Sequence, residues 1–201
     1  IKYHYPDVFA CALLNSQPMG FYSASQIIRD AKNHGVKVKE VCINRSEWDH
    51  SLENNGESCL NLRLGFRQIK GLSKNDVDRI IEERGNGYND PQDLWHRIRL
   101  SPSIIKLLVK ANSFHSLSEN RRLLLWDAQA IKKTNSLALF EGYSEKEYLP
   151  EKSVNLPNMT LGEELILDYQ SLRLSLSKHP MKLLRPFLKK SFIEKYCTSS
   201  I

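Results

Sequence analysis

With 41% hydrophobic and 26% charged side chains spread over 201 residues, the chain has the apolar content of a packed core and is not a disordered tail. It has no apolar run near the roughly 18–20 residues that cross a bilayer, and no cleavable signal opens it. The net charge of +6 is uneven: residues 1–60 hold 6 Lys/Arg against 7 Asp/Glu, residues 61–115 hold 10 against 6, and the remainder 13 against 10.

The first residues, "IKYHYPDVFACALLN", read as a helix entered partway, with no initiator Met, so we expect a piece of something longer. Pro6-Asp7 is favourable first-turn chemistry, and Val8, Ala12 and Leu13 can share the apolar face of a helix over 6–17. Pro18 and Gly20 stop it. Ser23 or Ser25 caps a second helix, with Ile27, Ile28 and Ala31 on its apolar side and Gly35 at its end. Val36, Val38 and Val41 then hint at a strand. In "CLNLRLGF", Leu60, Leu62, Leu64 and Phe66 alternate with Asn61, Arg63 and Gly65, the period of a half-buried strand. A two- or three-stranded sheet at roughly 37–67 is expected, interrupted by the loop "ENNGES".

From Ser73 to Glu83 the pattern is helical, with Val77, Ile80 and Ile81 inward. Two short helices follow, "PQDLWHRI" and "SPSIIKLLVKANSF". In the second, Ile104, Leu107 and Leu108 are expected to face the core, and Asn112 tolerates positive φ at its end. "ENRRLLLWDAQAIKK" reads as another helix, 134–160 as a linker, and "LGEELILDYQSL" with "HPMKLLRPFLKKSF" as a last helical pair. The helix–turn–helix unit near 69–83 is echoed at 100–112. Cysteines at 11, 42, 59 and 197 form no C-x-x-C pair and complete no zinc-like cluster with the histidines, so reduced structural thiols in a cytoplasmic chain are expected.

The stretch "IKGLSKNDVDRIIEER" carries the strongest local signal. Ile69, Gly71, Leu72, Ser73, Val77 and Ile80 have the spacing of a helix–hairpin–helix unit. Gly71 permits a φ that a Cβ penalises, Leu72 plugs the gap between helices, and Ser73 caps the next helix, with Asp76 three positions later as an imperfect capping box. Such a turn leaves amides open at a positive helix end, ready for a phosphate oxygen, with Lys70, Lys74 and Arg67 nearby. The other reading of the same residues is a turn that only packs two helices. No P-loop, nucleophile elbow or metal triad supports an independent hydrolase or transferase.

"HYPDVFACALLNSQPMGFYS", "INRSEWDHSLE", "LRLGFRQIKGLSKNDVDRIIEERG", "DLWHRIRLSPSIIKLLVKANSF" and "LGEELILDYQSLRLSLSKHPMKLLRP" follow in an order that resembles the C-family bacterial DNA polymerases. "NSQPMGFYS" and "LRLGFRQIKGL" look closest to the error-prone branch. The resemblance covers nearly the whole chain. It implies a mainly α fold with a small β-sheet, a tandem helix–hairpin–helix region flanked by helices. It also implies three parts: 1–50, the end of the fingers; 51–115, the helix–hairpin–helix region that in this family grips duplex DNA; and 116–201, a helical connector toward an OB-fold.

On this resemblance the chain itself is non-catalytic, because the metal-binding aspartates of the family lie in the palm, before this stretch. The parent reaction is DNA-directed nucleotidyl transfer with Mg2+, and the partner is primer–template duplex. Asp76, Asp78 and Asp127 are then cap and helix-surface carboxylates. The DNA-contacting residues implied are Arg67, Lys70, Gly71, Leu72, Ser73 and Lys74. Two departures matter: the second hairpin, Leu100–Ser103, carries Pro102 and no glycine, and the text after Pro186 stops resembling the family. "SLALF", with Leu137, Leu139 and Phe140, resembles the Q-L-x-L-F peptide by which bacterial polymerases hold the sliding clamp, with Ser136 in place of the glutamine. This gives an alternative, a module docking the clamp or a polymerase partner; those apolar residues pinned to the chain's own core are the plainer reading.

Overall fold

The computed structural model describes residues 1–54, 56, 59–118, 120–131, 156–177 and 179–190. Among them are eight α-helices: α1 (Pro6–Asn15), α2 (Ala24–Asn33), α3 (Lys74–Glu82), α4 (Pro91–Ile98), α5 (Pro102–Lys110), α6 (Arg121–Ala130), α7 (Leu161–Leu172) and α8 (Pro180–Lys190). Three short strands, β1 (Val38–Lys39), β2 (Ser51–Glu53) and β3 (Asn61–Arg63), form a sheet in the order β1-β3-β2, the first pair parallel and the second antiparallel. The fold is therefore mostly helical with a small sheet, as expected. No helix among the described residues is long and apolar enough to cross a membrane.

The first helix turns a different face inward from the one expected. Asp7, Ala10, Cys11 and Leu14 are buried, whereas Val8 and Ala12 are exposed and Leu13 is only half-buried. The apolar residues of α1 lie on more than one side, so a polar contact decides the rotation. The Asp7 carboxylate accepts from the Leu60 amide at 2.7 Å and from the Val8 amide at 2.9 Å, which holds this face against the start of β3. A buried carboxylate with two N–H donors is satisfied where an unpaired one would not be.

The strand at 61–63 is present, but both of its faces are covered. Asn61 and Arg63 are buried along with Leu62 and Leu64. Arg63 is tolerated there because its guanidinium bonds both carboxylate oxygens of Glu53 on the neighbouring strand, at 2.7 and 2.9 Å, and the Glu40 carbonyl at 2.9 Å. Just beyond, Gly65 marks a close crossing: a Cβ there would stand 2.4 Å from backbone atoms of Trp48 and Asp49. Its amide donates to His50 Nδ1 at 3.1 Å. Burial and the adjacent Arg67 lower the His50 pKa to about 4, so the ring is neutral and able to accept that bond.

Behind the sheet, two hairpins repeat one packing scheme. Positions 28 residues apart carry matching apolar side chains: Leu72 and Leu100, Val77 and Ile105, Ile80 and Leu108 are all buried. The contacts are reciprocal as well. A Cβ at Gly71 in the first hairpin would meet the Leu107 side chain of α5 at 3.6 Å, while Arg79, the equivalent position on α3, donates to the Ile98 carbonyl at the second hairpin. In α5 the deepest residues are Ile105, Leu108 and Val109, one step round from the expected Ile104, Leu107 and Leu108; Ile104 and Leu107 are half-buried.

Candidate nucleic-acid interface

The first hairpin starts from a 3-10 turn at Phe66–Gln68, whose Phe66 is fully buried. Ile69 follows in extended backbone, also buried, and Gly71 then reverses the chain with φ of 85°. A residue with a Cβ adopts that conformation only at a cost, which explains the glycine. Leu72 returns to the core at 8% exposure, filling the space between helices as expected of a plug residue. Ser73 caps α3 by accepting from the Asp76 amide at 3.2 Å.

The cap is incomplete in a consequential way. In α2 and α7 the longer side chains at the third helical position, Gln26 and Glu163, reach back to the amide of the capping residue and close a full box. In α3 that position is Asp76, which is too short; its carboxylate accepts instead from the Ser73 hydroxyl at 2.6 Å. Among the described residues, the Gly71, Ser73, Lys74 and Asn75 amides have no protein acceptor, and all four residues are exposed. Two other amides of the turn are occupied: Lys70 N–H donates to the Ser171 carbonyl at 2.9 Å, and Leu72 N–H to the Ile69 carbonyl at 3.5 Å.

The Lys70 and Lys74 side chains flank the open amides. Both are exposed, and neither enters an ion pair with a described residue. Open N–H groups at the positive end of a helix, with two unpaired cations beside them, can hold an anionic oxygen from several directions.

Arg67 already has partners within the protein. Its guanidinium bonds the Asn15 carbonyl at 2.8 Å, the Gln17 carbonyl at 2.9 Å and Asp49 Oδ1 at 2.6 Å. It fastens the C-terminal end of α1 to the segment leading into the hairpin. Leu72, likewise, serves by packing. Gly71, Ser73, Lys70 and Lys74 are brought together at one surface, while Leu137, Leu139 and Phe140 lie outside the described residues.

The second hairpin is built otherwise. Arg99 stands where Gly71 stands in the first, with φ of 55°, and its guanidinium lies 4.3 Å from the centre of the Trp95 ring. Pro102 opens α5, so the amide matching that of Lys74 is missing, and the Ser101 side chain makes no cap bond. This hairpin offers two open amides among the described residues, Ser101 and Ser103, where the first offers four.

Sequence reasoning did not foresee that the end of α7 supports the first hairpin. Besides the Lys70–Ser171 bond, Gln68 Nε2 donates to the Leu172 carbonyl at 2.8 Å. The partners are about a hundred residues apart in the chain, and no local pattern encodes such a contact. Among the described residues no group of three or more His, Cys, Asp or Glu side chains converges to hold a metal ion.

Comparison with known proteins agrees with this geometry. Residues 35–124 match the family model described as helix-hairpin-helix motif. The chain is 48% identical over 186 residues to the error-prone DNA polymerase of Ruegeria pomeroyi, a match covering 92% of this chain and 17% of that protein. It is 45% identical to the error-prone DNA polymerase of Brucella abortus, with the same coverage of each, and 41% identical to that of Sinorhizobium medicae, covering 92% of this chain and 18% of the relative. The chain thus spans less than a fifth of the length of these relatives. The resemblance read from the sequence is borne out: the chain is homologous to one stretch of the error-prone DNA polymerases, with a helix–hairpin–helix region at its centre.

Proposed function

We propose that this chain is a non-catalytic DNA-binding region of an error-prone, translesion DNA polymerase, holding primer–template duplex by its sugar–phosphate backbone during synthesis. The observation that carries the reading is the set of four open amides at Gly71, Ser73, Lys74 and Asn75, beside the exposed Lys70 and Lys74. Backbone amides and lysines recognise phosphate without reading bases, which suits a region that must hold any sequence passing through it. In this reading residues 1–50 close the fingers, 51–115 form the binding region and 116–201 lead onward. Nucleotidyl transfer and its Mg2+ belong to the rest of the polymerase.

The test is duplex binding by the chain as a function of salt. Each phosphate contact releases counterions, so the logarithm of the affinity should fall linearly with the logarithm of salt concentration. Lys70→Glu/Lys74→Glu should weaken binding at least about tenfold near 0.1 M salt and reduce that slope by about 2, equally for duplexes of unrelated sequence. A flat salt response, or wild-type affinity in the double variant, would overturn the proposal.

A further inference from the structure

Among the described residues, three other than glycine hold a left-handed backbone: Arg99, Asn112 and Arg173. Asn112 is of a type that adopts it readily, and Arg99 is compensated by its contact with Trp95. Arg173 has neither excuse. It closes α7 with φ of 60°, at a position where glycine or asparagine would be less strained. Its side chain is exposed and has no ion pair or ring contact among the described residues. Asp168, five residues earlier on α7, is paired with Arg121 at 2.8 Å.

The location supplies a use. The end of α7 is stitched to two other cation-bearing segments. The Ser171 carbonyl accepts from the Lys70 amide at 2.9 Å, and the Ser171 hydroxyl, shared with the Leu167 carbonyl of its own helix at 2.7 Å, lies within hydrogen-bond distance of the Lys110 carbonyl at 3.1 Å. Lys110 is the last residue of α5, exposed and likewise without an ion pair to a described residue. Lys70, Lys110 and Arg173 therefore spring from one junction at the edge of the Gly71 turn. The left-handed residue closes α7 by donating its amide to the Tyr169 carbonyl at 3.2 Å, a task glycine or asparagine would do with less strain; an exposed arginine kept there beside two exposed lysines points to an external partner.

We propose that the end of α7 extends the interface: Arg173, with Lys110, contacts phosphates of the same duplex beyond those held by the Gly71 turn. This rests on the DNA-binding reading above. The rival explanation is that the two cations merely offset the negative ends of α5 and α7. Such a role acts on stability and leaves binding alone, so the two are separable.

Arg173→Gly removes the charge and relieves the backbone. We expect an unchanged or higher melting temperature, a loss of about fivefold in duplex affinity near 0.1 M salt, and a salt slope smaller by about 1. Arg173→Asn, neutral and tolerant of the same φ, should lose affinity alike, and Arg173→Lys should recover most of it. Measured beside Lys70→Glu/Lys74→Glu, the result assigns the failure. If the lysine variant loses binding and Arg173→Gly binds as wild type, the extension is overturned and the turn stands. If Arg173→Gly alone loses binding, duplex is held at the end of α7 and not at the Gly71 turn, which overturns the turn and, with it, the extension as stated. If neither changes, both proposals fall.

Discussion

The two hairpins use the same internal scaffold and finish it differently. Leu72 and Leu100 plug equivalent gaps, and Val77 and Ile80 repeat as Ile105 and Leu108, every one of them buried. The outward positions diverge. Lys70 corresponds to the buried Ile98, Gly71 to Arg99, and Lys74 to Pro102. The second hairpin shows what packing alone requires, and the requirement includes neither a glycine nor a lysine; its Ser101 and Ser103 amides, like their counterparts Ser73 and Asn75, have no acceptor among the described residues, whereas the Gly71 and Lys74 amides have no open equivalent there. Those features at the first hairpin are surplus to the fold, which is why they are the ones to explain by binding.

The largest effects should fall where the hairpins agree. Leu100→Ala and Leu72→Ala each remove a plug from a core and should cost about 2–5 kcal/mol in urea unfolding. Leu100, at 2% exposure against 8% for Leu72, should stand at the upper end. A cost below about 1 kcal/mol for one of them alone, well under the range for buried leucines, would show that the hairpins are not equivalent.

Smaller effects should appear where they differ. Gly71→Ala meets an ordinary contact with Leu107, so its cost comes from the backbone, φ of 85°, and should be about 1 kcal/mol. Arg99→Gly should change stability by no more than about 0.5 kcal/mol, because relief of the left-handed conformation is offset by the lost Trp95 contact and by chain entropy. Equal costs for the two would mean that Gly71 was not selected for its conformation.

What the sequence made legible was local. The Gly71 turn, the Ser73 cap, the left-handed Asn112 and the inward Val77–Ile80 face follow from spacing and residue type within one or two turns of chain. What stayed hidden was set by distant partners. Asp7 rotates α1 through a bond to Leu60, and Arg67, which its place beside the Gly71 turn suggests for DNA, also bonds Asn15, Gln17 and Asp49. A charged side chain reads the same in sequence whether its counter-charge is a phosphate or a carbonyl fifty residues away. The support of the first hairpin by Ser171 was invisible for the same reason.

The smallest expected change in stability sharpens the comparison furthest. Lys74→Pro gives the first hairpin the opening residue of the second. Lys74 is the first residue of α3, where proline is favoured, and Ser73 before it already has φ of −90° and ψ of 151°, backbone that a following proline accepts. The amide removed has no acceptor among the described residues, so nothing in the fold is broken. Thermal unfolding should therefore stay within about 0.5 kcal/mol of wild type, as for surface changes that disturb no buried partner. Duplex affinity, read by fluorescence anisotropy, should nonetheless fall, since one amide and one cation leave the surface together. A marked loss of stability would place the Lys74 amide within the fold, and the contrast drawn between the hairpins would then fail at the position where they differ most.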